Sequence, residues 1–378
     1  MNRPVLTMIP GPTPVHERIL AALAEPTISH VAPAFVECQR DCLARLREIV
    51  ITQEGTPFVV AGSGTLAMEM ALVNLVARDE RLLVISHGYF GDRWSEVAET
   101  FGVPCELVRA DWGSHIAPER LREQLERERY AAVAVTHVDT STGTAAPLEA
   151  YAEVLRGHEA LWVVDGVCAT AGMEERFDDW GIDMLVTGAQ KALGAPPGVA
   201  IAVASPRAME KRRSREGVPA YSADLLRWLP IMEDPARYFS TPAVNEVFAL
   251  REAMRLVLEE GLEARFARHR RIAAAMRAGL TSLGLGLFTA PGCRADTLSV
   301  VRYPAGVDDG PFRSSMAERG VIVAPALGPI AGKAFRLGHM GNIGADEVCR
   351  TLQAIEASLA DQGGEARGAV EAARAALE

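Results

Sequence analysis

Residues 161–198 read LWVVDGVCATAGMEERFDDWGIDMLVTGAQKALGAPPG, a stretch in which two apolar runs each lead to a charged side chain. Four apolar residues at its start predict a buried parallel strand that ends on Asp165. A second, short apolar run at 184–186 precedes a loop that contains Lys191. Small or apolar residues follow Lys191 and no opposite charge is close in sequence, so burial would favour its neutral amine. A neutral amine can form a Schiff base with an aldehyde, and an acid at the end of a neighbouring strand can pair with a pyridinium nitrogen.

Both residues also have an ordinary structural interpretation. Most lysines are solvated at the surface, and most aspartates at strand ends cap helices or form turns. Considered singly, Lys191 and Asp165 favour that interpretation. The glycine and proline residues that follow the lysine bring the two interpretations into balance, and other parts of the chain shift the balance towards chemistry.

The composition predicts a soluble globular protein with a sizeable core. The chain has 378 residues, of which 49% are hydrophobic and 23% charged, and its formal net charge is −10. Such a chain has no general basic surface for nucleic acid or an anionic membrane, so neither partner is expected. No uncharged stretch approaches the length that spans a bilayer, and proline and glycine interrupt residues 7–14 too early for a signal peptide. We therefore expect a cytoplasmic protein.

The cysteines predict neither a metal site nor disulfides. None of the six forms a Cys-x-x-Cys pair or completes a zinc spacing with histidines. Free thiols suit a reducing compartment. The six are Cys38, Cys42, Cys105, Cys168, Cys293 and Cys349.

Apolar runs alternate with helical patterns through the first two thirds of the chain. This alternation predicts an α/β fold, with a large domain whose mostly parallel sheet is flanked by helices. The predicted strands lie at 56–61, 82–86, 105–109, 131–136, 161–165, 184–186 and 199–204.

The pattern changes after a long helical stretch at about 244–282, which is broken near Gly261. The order there predicts a smaller C-terminal α+β domain, with strands at 298–303, 320–324 and 334–338 and helices at 310–318 and 345–360. We expect an N-terminal loop segment at 1–15, a large domain at 16–243, and a connecting helix with a small domain at 244–378. The tail after Asp361 is rich in glycine, alanine and charge, and this composition leaves open whether it is ordered or frays.

Five polar or aromatic segments follow predicted strands. In a parallel sheet, ligands bind outside the carboxyl ends of the strands, so these segments should gather at one edge. Backbone N–H groups and hydroxyls at a helix start suit a phosphate, and an ordinary helix cap is the alternative for that segment. The five are Ser63-Gly64-Thr65, His87 to Phe90, His137 to Thr142, Asp165, and Gln190-Lys191.

Residues 62–67, GSGTLA, also match the fingerprint of a dinucleotide-binding loop. That function needs an acid at the end of the next strand, where the sequence is Ile85-Ser86-His87-Gly88. A nicotinamide-dependent oxidoreductase therefore ranks below an enzyme that holds the phosphate of a smaller cofactor. A non-catalytic binding subunit of the same fold is a third alternative.

Further side chains are candidates for binding. Phe90 or Tyr89 could stack on an aromatic ring, although core packing is the default for either residue. Thr140 could donate to a phenolic oxygen or cap a turn. Arg336 lies on an otherwise apolar predicted strand, where a charge is costly unless paired. It would either bind a carboxylate through two hydrogen bonds or form an internal salt bridge, and the spacing favours neither.

Several of these motifs occur together in one known family. They are Ser63-Gly64-Thr65, Ser141-Thr142-Gly143, Val164-Asp165, Gly188-Ala189-Gln190-Lys191, Ala195-Pro196-Pro197-Gly198 and Arg336-Leu337-Gly338. In these motifs the chain resembles the class V aminotransferases of the fold-type I pyridoxal-phosphate family, in particular the alanine–glyoxylate and serine–pyruvate or serine–glyoxylate aminotransferases. The similarity runs from Pro10 to about residue 358. It implies the fold of that family, pyridoxal 5′-phosphate as cofactor, and a homodimer with shared active sites.

The resemblance also implies a role for each site residue. Lys191 looks like the lysine of the Schiff base, and Asp165 like the partner of the pyridine nitrogen. Phe90 falls where close relatives often carry tryptophan, and Thr65 where some carry histidine. The remaining expectations are Ser63, Gly64, Thr65 and Gln190 at the phosphate, Tyr238 and Thr241 reaching it from the other subunit, Phe90 stacked on the ring, Thr140 near the ring oxygen, Val167 at the cofactor, and Arg336 with Gly11 at the substrate.

The activity implied is transfer of an amino group from alanine or serine to glyoxylate or pyruvate by a ping-pong route. Aspartate, ureidoglycine and aminoethylphosphonate are alternative donors: only one carboxylate clamp is visible, yet the chain has other arginines, including Arg93 and Arg237. Cysteine desulfurases share the fold. They typically have histidine before the lysine, where this chain has Gln190, and no cysteine here plainly matches their catalytic one.

Overall fold

The computed structural model of the protein describes residues 4–364 and 367–378. In chain order the strands are Leu6–Thr7 (β1), Thr56–Gly62 (β2), Leu82–Ser86 (β3), Cys105–Arg109 (β4), Ala132–Thr136 (β5), Val138–Asp139 (β6), Thr144–Ala145 (β7), Leu161–Asp165 (β8), Met184–Gly188 (β9), Gly198–Ala204 (β10), Leu298–Arg302 (β11), Val321–Ile322 (β12), Ala324–Pro325 (β13) and Ala334–Gly338 (β14).

Helices follow most of these strands, as the alternating pattern predicts. They are Glu17–Leu23 (α1), Pro33–Ile49 (α2), Gly64–Leu75 (α3), Tyr89–Phe101 (α4), Pro118–Arg127 (α5), Leu148–Leu155 (α6), Phe177–Trp180 (α7), Pro206–Arg213 (α8), Leu225–Glu233 (α9), Val244–Glu260 (α10), Leu262–Ser282 (α11), Asp309–Glu318 (α12), Ala345–Ala360 (α13) and Ala369–Leu377 (α14), with a 3₁₀ turn at Gly328–Ile330.

The large sheet has seven strands in the order β2-β10-β9-β8-β5-β3-β4. From β9 to β4 all neighbours run parallel, and β10 is antiparallel to both β9 and β2. Every residue of β3, β5, β8 and β9 is buried, because helices such as α3 and α4 pack against the sheet. The prediction of a mostly parallel α/β sheet is confirmed, and it brings the ends of β5 and β8 side by side.

The C-terminal part has its own small sheet, in the order β11-β14-β13, with antiparallel pairing. Its apolar core is formed mainly by α11, α12, α13 and the strands beneath them. The predicted strand at 320–324 is in fact two short strands, β12 and β13. The chain start is not loop throughout, because β1 pairs in parallel with β12 and adds Leu6 and Met8 to this second core.

Part of the tail after Asp361 is helical, whereas residues 365–366 lie outside the described residues. Helix α14 lies against α11 and α13, with Ala369, Val370 and Ala373 buried. Gly279 of α11 allows close approach, because a Cβ added there would come within 2.8 Å of the Ala369 carbonyl oxygen. Composition alone resembles a disordered tail, but the buried alanine face gives this segment a packing partner.

Helix α10 packs on α1 and α2 and contributes to the large core, whereas α11 contributes to the small one. Gly261, with φ of 82°, separates the two helices where the break was expected. The division into domains at residue 243 remains a prediction. Within residues 4–364 and 367–378, no helix has the length and apolar character needed to cross a bilayer.

Candidate active site

A cavity of about 180 Å³ lies at the carboxyl edge of the large sheet, between the ends of β5 and β8, the loop after β9 and the start of α3. Nine of its lining residues are those expected at the cofactor within one chain, so the predicted convergence of loops is observed. The complete lining is Ser63, Gly64, Thr65, Met68, Phe90, Arg93, Thr136, Val138, Thr140, Asp165, Val167, Cys168, Gln190 and Lys191.

Lys191 lies in the turn after β9 and is half-buried in the cavity wall. Burial lowers the pKa of its amine, and the nearby charge of Arg336 lowers it further. The Nζ atom donates to the Pro10 carbonyl oxygen. Residue 11 is glycine because a Cβ there would come within 2.8 Å of Nζ, and its φ of 105° also favours glycine. Gly11 thus leaves room for the lysine without lining the cavity.

Asp165 is the last residue of β8 and is buried. Its Oδ1 accepts a hydrogen bond from the Val167 N–H at 2.9 Å, and its Oδ2 lies 3.4 Å from the Thr136 hydroxyl. Burial raises the pKa of this carboxyl to about 7, since these two donors offset only part of the cost of removing the charge from water. The site therefore has an acid that would gain from a cationic partner in the cavity.

The start of α3 has donors without protein acceptors. Ser63 is the N-cap in extended conformation, and its side chain does not cap the helix. The N–H groups of the first turn of an α-helix have no acceptor within the helix itself. The buried Oε1 of Gln190 also lacks a hydrogen-bond partner among the described residues. The N–H groups at the start of α3 can bind an anion such as a phosphate, and the Gln190 side chain could add its NH₂ group as a further donor.

One wall of the cavity is held in place by a buried carboxylate that sequence analysis did not single out. Asp139 accepts hydrogen bonds from the N–H groups of Phe90 and Gly91, each at 2.9 Å, and from Ser141. These bonds fix the start of α4, and with it the Phe90 ring at the cavity. The place of Asp139 in the segment His137 to Thr142, directly after a predicted strand, is the sequence signal that could have revealed it.

Four other lining residues were not singled out from the sequence. Thr136 and Val138 flank the end of β5, Met68 lies one helical turn after Gly64, and Cys168 follows β8. Thr136, Val138 and Cys168 lie near strand ends, where ligands bind to parallel sheets. The residue types at all four positions, however, do not by themselves indicate a binding site.

Arg336 lies on β14 of the small sheet and reaches the segment between β6 and β7. Its Nη1 donates to the Thr140 carbonyl oxygen at 3.2 Å and its Nε to that of Pro325 at 2.8 Å. Within the described ranges it has no acidic partner, so the internal salt bridge considered above is not present. Burial lowers the pKa of its guanidinium, and an incoming carboxylate would compensate for that burial.

Tyr238 and Thr241 do not line the cavity. Tyr238 is 62% exposed, and its hydroxyl lies 3.5 Å from the hydroxyl of Thr241, which is exposed as well. A single chain therefore does not bring these two residues to the other predicted site residues.

Comparison with known proteins identifies the family. The sequence profile described as "Aminotransferase class-V" matches residues 22–333. An uncharacterized aminotransferase of Methanocaldococcus jannaschii is 37% identical over 98% of this chain and 97% of its own length.

Two solved structures have similar folds. The crystal structure of ureidoglycine–glyoxylate aminotransferase from Bacillus subtilis matches with a TM-score of 0.96 and 31% identity, covering 100% of this chain and 98% of that one. That of an alanine–glyoxylate aminotransferase from Nostoc sp. matches with a TM-score of 0.91 and 32% identity, covering 95% and 96%. The chain thus belongs to the class V aminotransferases and is a pyridoxal-phosphate-dependent transaminase of the fold-type I architecture.

Proposed function

We propose that this aminotransferase moves the amino group of a small amino acid, alanine or serine, to glyoxylate or pyruvate, with Lys191 as the residue that binds the cofactor covalently. The observation that carries this proposal is a lysine with a lowered pKa in one cavity with a buried acid, next to an arginine that has no acidic partner in the described part of the chain. Glyoxylate as acceptor is supported by the names of two similar proteins.

The residues of the cavity fit pyridoxal 5′-phosphate. The start of α3, which has no side-chain cap, suits its phosphate. Among the described residues the Gln190 amide oxygen has no hydrogen-bond partner, so the amide can rotate and present its NH₂ group to the phosphate. Asp165 suits a protonated ring nitrogen, and the Phe90 ring can stack on an aromatic face. When bound, this cofactor supplies an aldehyde that captures amines and a ring that accepts electrons from the substrate Cα.

The protein's own groups then have distinct tasks. Arg336 binds the α-carboxylate of the amino acid through two hydrogen bonds and so fixes the orientation of the Cα–H bond. Asp165, as an ionised carboxylate, would hold a proton at the ring nitrogen, and this cationic partner would offset the cost of burying its charge. Once the substrate amine has displaced it from the cofactor, the amine of Lys191, kept neutral by burial, would accept the Cα proton as general base and return it to a neighbouring carbon.

Substitution of Lys191 tests this assignment. A Lys191→Ala protein should fold and bind pyridoxal phosphate reversibly, yet lack the visible absorbance band of the covalently bound cofactor and lose turnover. The experiment follows absorbance of the purified protein while alanine, serine and aspartate are added separately. A variant that transaminates at the wild-type rate would refute the role of Lys191.

A second candidate donor is aspartate, and Arg93 is the observation that favours it. Its side chain lines the cavity, its guanidinium lies 4.8 Å from the Phe90 ring centroid, and it forms no hydrogen bond or ion pair among the described residues. A second carboxylate could bind there. If aspartate is the donor, Arg93→Ala should raise KM for aspartate and leave KM for alanine unchanged.

We further propose a homodimer in which Tyr238 and Thr241 of one subunit complete the phosphate site of the other. Their exposure and mutual proximity support this role. The test mixes two inactive proteins, Lys191→Ala and the double variant Tyr238→Phe with Thr241→Val. Each mixed dimer would have one site with all residues of the wild type, so activity should return. Sites formed within one subunit would give no recovery.

The cysteine desulfurase alternative is disfavoured by the state of the nearest thiol. Cys168 lines the cavity but is buried, with its Sγ atom 3.8 Å from the Met340 sulfur, and burial raises the pKa of the thiol to about 11. A thiol that stays protonated near neutral pH is a poor nucleophile.

A further inference from the structure

A buried polar cluster, formed by His137, Thr170 and Glu175, packs against the backbone of residues 165 and 166. The three side chains are from 1% to 4% exposed. The Glu175 carboxylate binds the His137 ring through Oε1 and Nδ1 at 2.8 Å, and its Oε2 accepts from the Thr170 hydroxyl at 2.7 Å. None of the three lines the cavity, and the proposed reaction does not use them.

The cluster joins the two chain segments that hold the Asp165 carboxylate. His137 directly follows Thr136, whose hydroxyl lies 3.4 Å from Asp165 Oδ2, and its N–H donates to the Asp165 carbonyl at 2.9 Å. On the other side, Thr170 closes the turn that begins at residue 166 and contains Val167, the donor to Asp165 Oδ1. Both hydrogen-bond donors of the Asp165 carboxylate therefore lie on segments that Glu175 ties together.

The packing around residue 166 leaves the cluster little freedom. A Cβ on Gly166 would come within 2.6 Å of Glu175 Oε1, so the carboxylate rests directly against the backbone that follows Asp165. The Gly166 carbonyl oxygen accepts from the N–H groups of Ala169 and Thr170 and lies 2.9 Å from the Thr170 hydroxyl. A displacement of Glu175 would be transmitted to the Asp165–Gly166 peptide because these atoms are in contact.

We propose that Glu175, acting through His137 and Thr170, is a positioning residue that fixes the Asp165 carboxylate opposite the cofactor nitrogen. This inference rests on the proposed function of Asp165. Glu175 is buried and does not line the cavity. It would hold the Asp165 carboxylate in position through hydrogen bonds rather than through contact with the substrate.

The test compares Glu175→Ala, Glu175→Gln and Thr170→Val with a control, Asp183→Ala. Asp183 is also a 2% exposed carboxylate that accepts from a backbone N–H, that of Trp162, and from the Ser205 hydroxyl, but it lies at the opposite end of β9. The two measurements are the dissociation constant of pyridoxal phosphate, from titration of the cofactor-free proteins, and the pH midpoint of the visible band of the holoenzymes.

Glu175→Ala should weaken cofactor binding about tenfold or more and move the pH midpoint, because a displaced Asp165 would lose its charged hydrogen bond to the cofactor nitrogen. Glu175→Gln should stay within about threefold of the wild type, because its amide can donate to His137 and accept from Thr170. Thr170→Val, a change of nearly equal volume, should move both measurements in the direction of Glu175→Ala and decides the matter if that variant does not fold. Asp183→Ala should lower the melting temperature and leave both measurements near the wild type.

Wild-type affinity and midpoint in Thr170→Val and Glu175→Ala would overturn the inference. So would an equal loss in Asp183→Ala, which would indicate general destabilisation, or a Glu175→Gln protein as impaired as Glu175→Ala. A wild-type protein that shows no visible band with pyridoxal phosphate would instead refute the proposed function, and the two failures are thereby distinguishable.

Discussion

In the cofactor-free protein, the buried Asp165 carboxyl should make the fold less stable as the pH rises. Its pKa lies at about 7 in the folded chain, against an ordinary value of 3.8. Between these values the folded state keeps a proton that the unfolded chain has released, so the stability contributed by this group is present below about pH 4 and is lost as the pH rises through 7. Asp165→Asn removes the ionisation and retains an acceptor for the Val167 N–H.

The magnitude follows from the pKa. One pKa unit corresponds to about 1.4 kcal/mol, so between pH 5 and pH 8 the wild type should lose about 3 kcal/mol more than Asp165→Asn does. The assay is urea denaturation of both cofactor-free proteins at the two pH values, at equal protein concentration. All other titrating groups are common to the pair, so their contributions cancel in the difference. Bound pyridoxal phosphate should abolish the effect in the wild type, because a protonated ring nitrogen stabilises the ionised carboxylate.

Equal pH dependence in the two proteins would refute the reasoning. It would mean either that the carboxyl is solvated in the cofactor-free protein or that its neighbours stabilise the charge. A greater loss in Asp165→Asn than in the wild type would have the wrong sign and would contradict it directly. Asp165→Asn with the cofactor should nevertheless be a poor enzyme, so that stability and activity change in opposite directions.

Three further outcomes are expected. Arg336→Gln should raise KM for the amino donor about tenfold to a hundredfold, because it removes a charged hydrogen bond to the substrate carboxylate, and should change kcat less. Steady-state kinetics with alanine and serine measure both constants. Gly11→Ala should displace Lys191 and lower both the visible band and kcat, whereas unchanged spectra would contradict the close approach. Gly279→Ala should lower the free energy of unfolding by about 1–3 kcal/mol through overpacking against α14, although alanine at an uncrowded helix position would stabilise; thermal unfolding gives the sign.

Much of the candidate site could be predicted from sequence because it depends on one rule of sheet geometry. Segments that follow parallel strands meet at the carboxyl edge, and this holds whatever the detailed packing. Asp165 and Lys191 were therefore expected in one place, and they line one cavity. Strand positions were predictable because buried parallel strands are continuous apolar runs, and the helices between them have a different period.

Contacts between residues far apart in sequence were decided only by the tertiary structure. Three contacts join segments whose local sequence patterns do not predict each other. They are the hydrogen bond from Arg336 to Thr140, the pairing of Glu175 with His137, and the packing of α14 on α11. They depend on side-chain register and on which small residues permit close approach, and these emerge only when the elements pack. The sequence by itself determined which chemical groups gather at the edge of the sheet; the three-dimensional packing decided which of them are held in place, and by what.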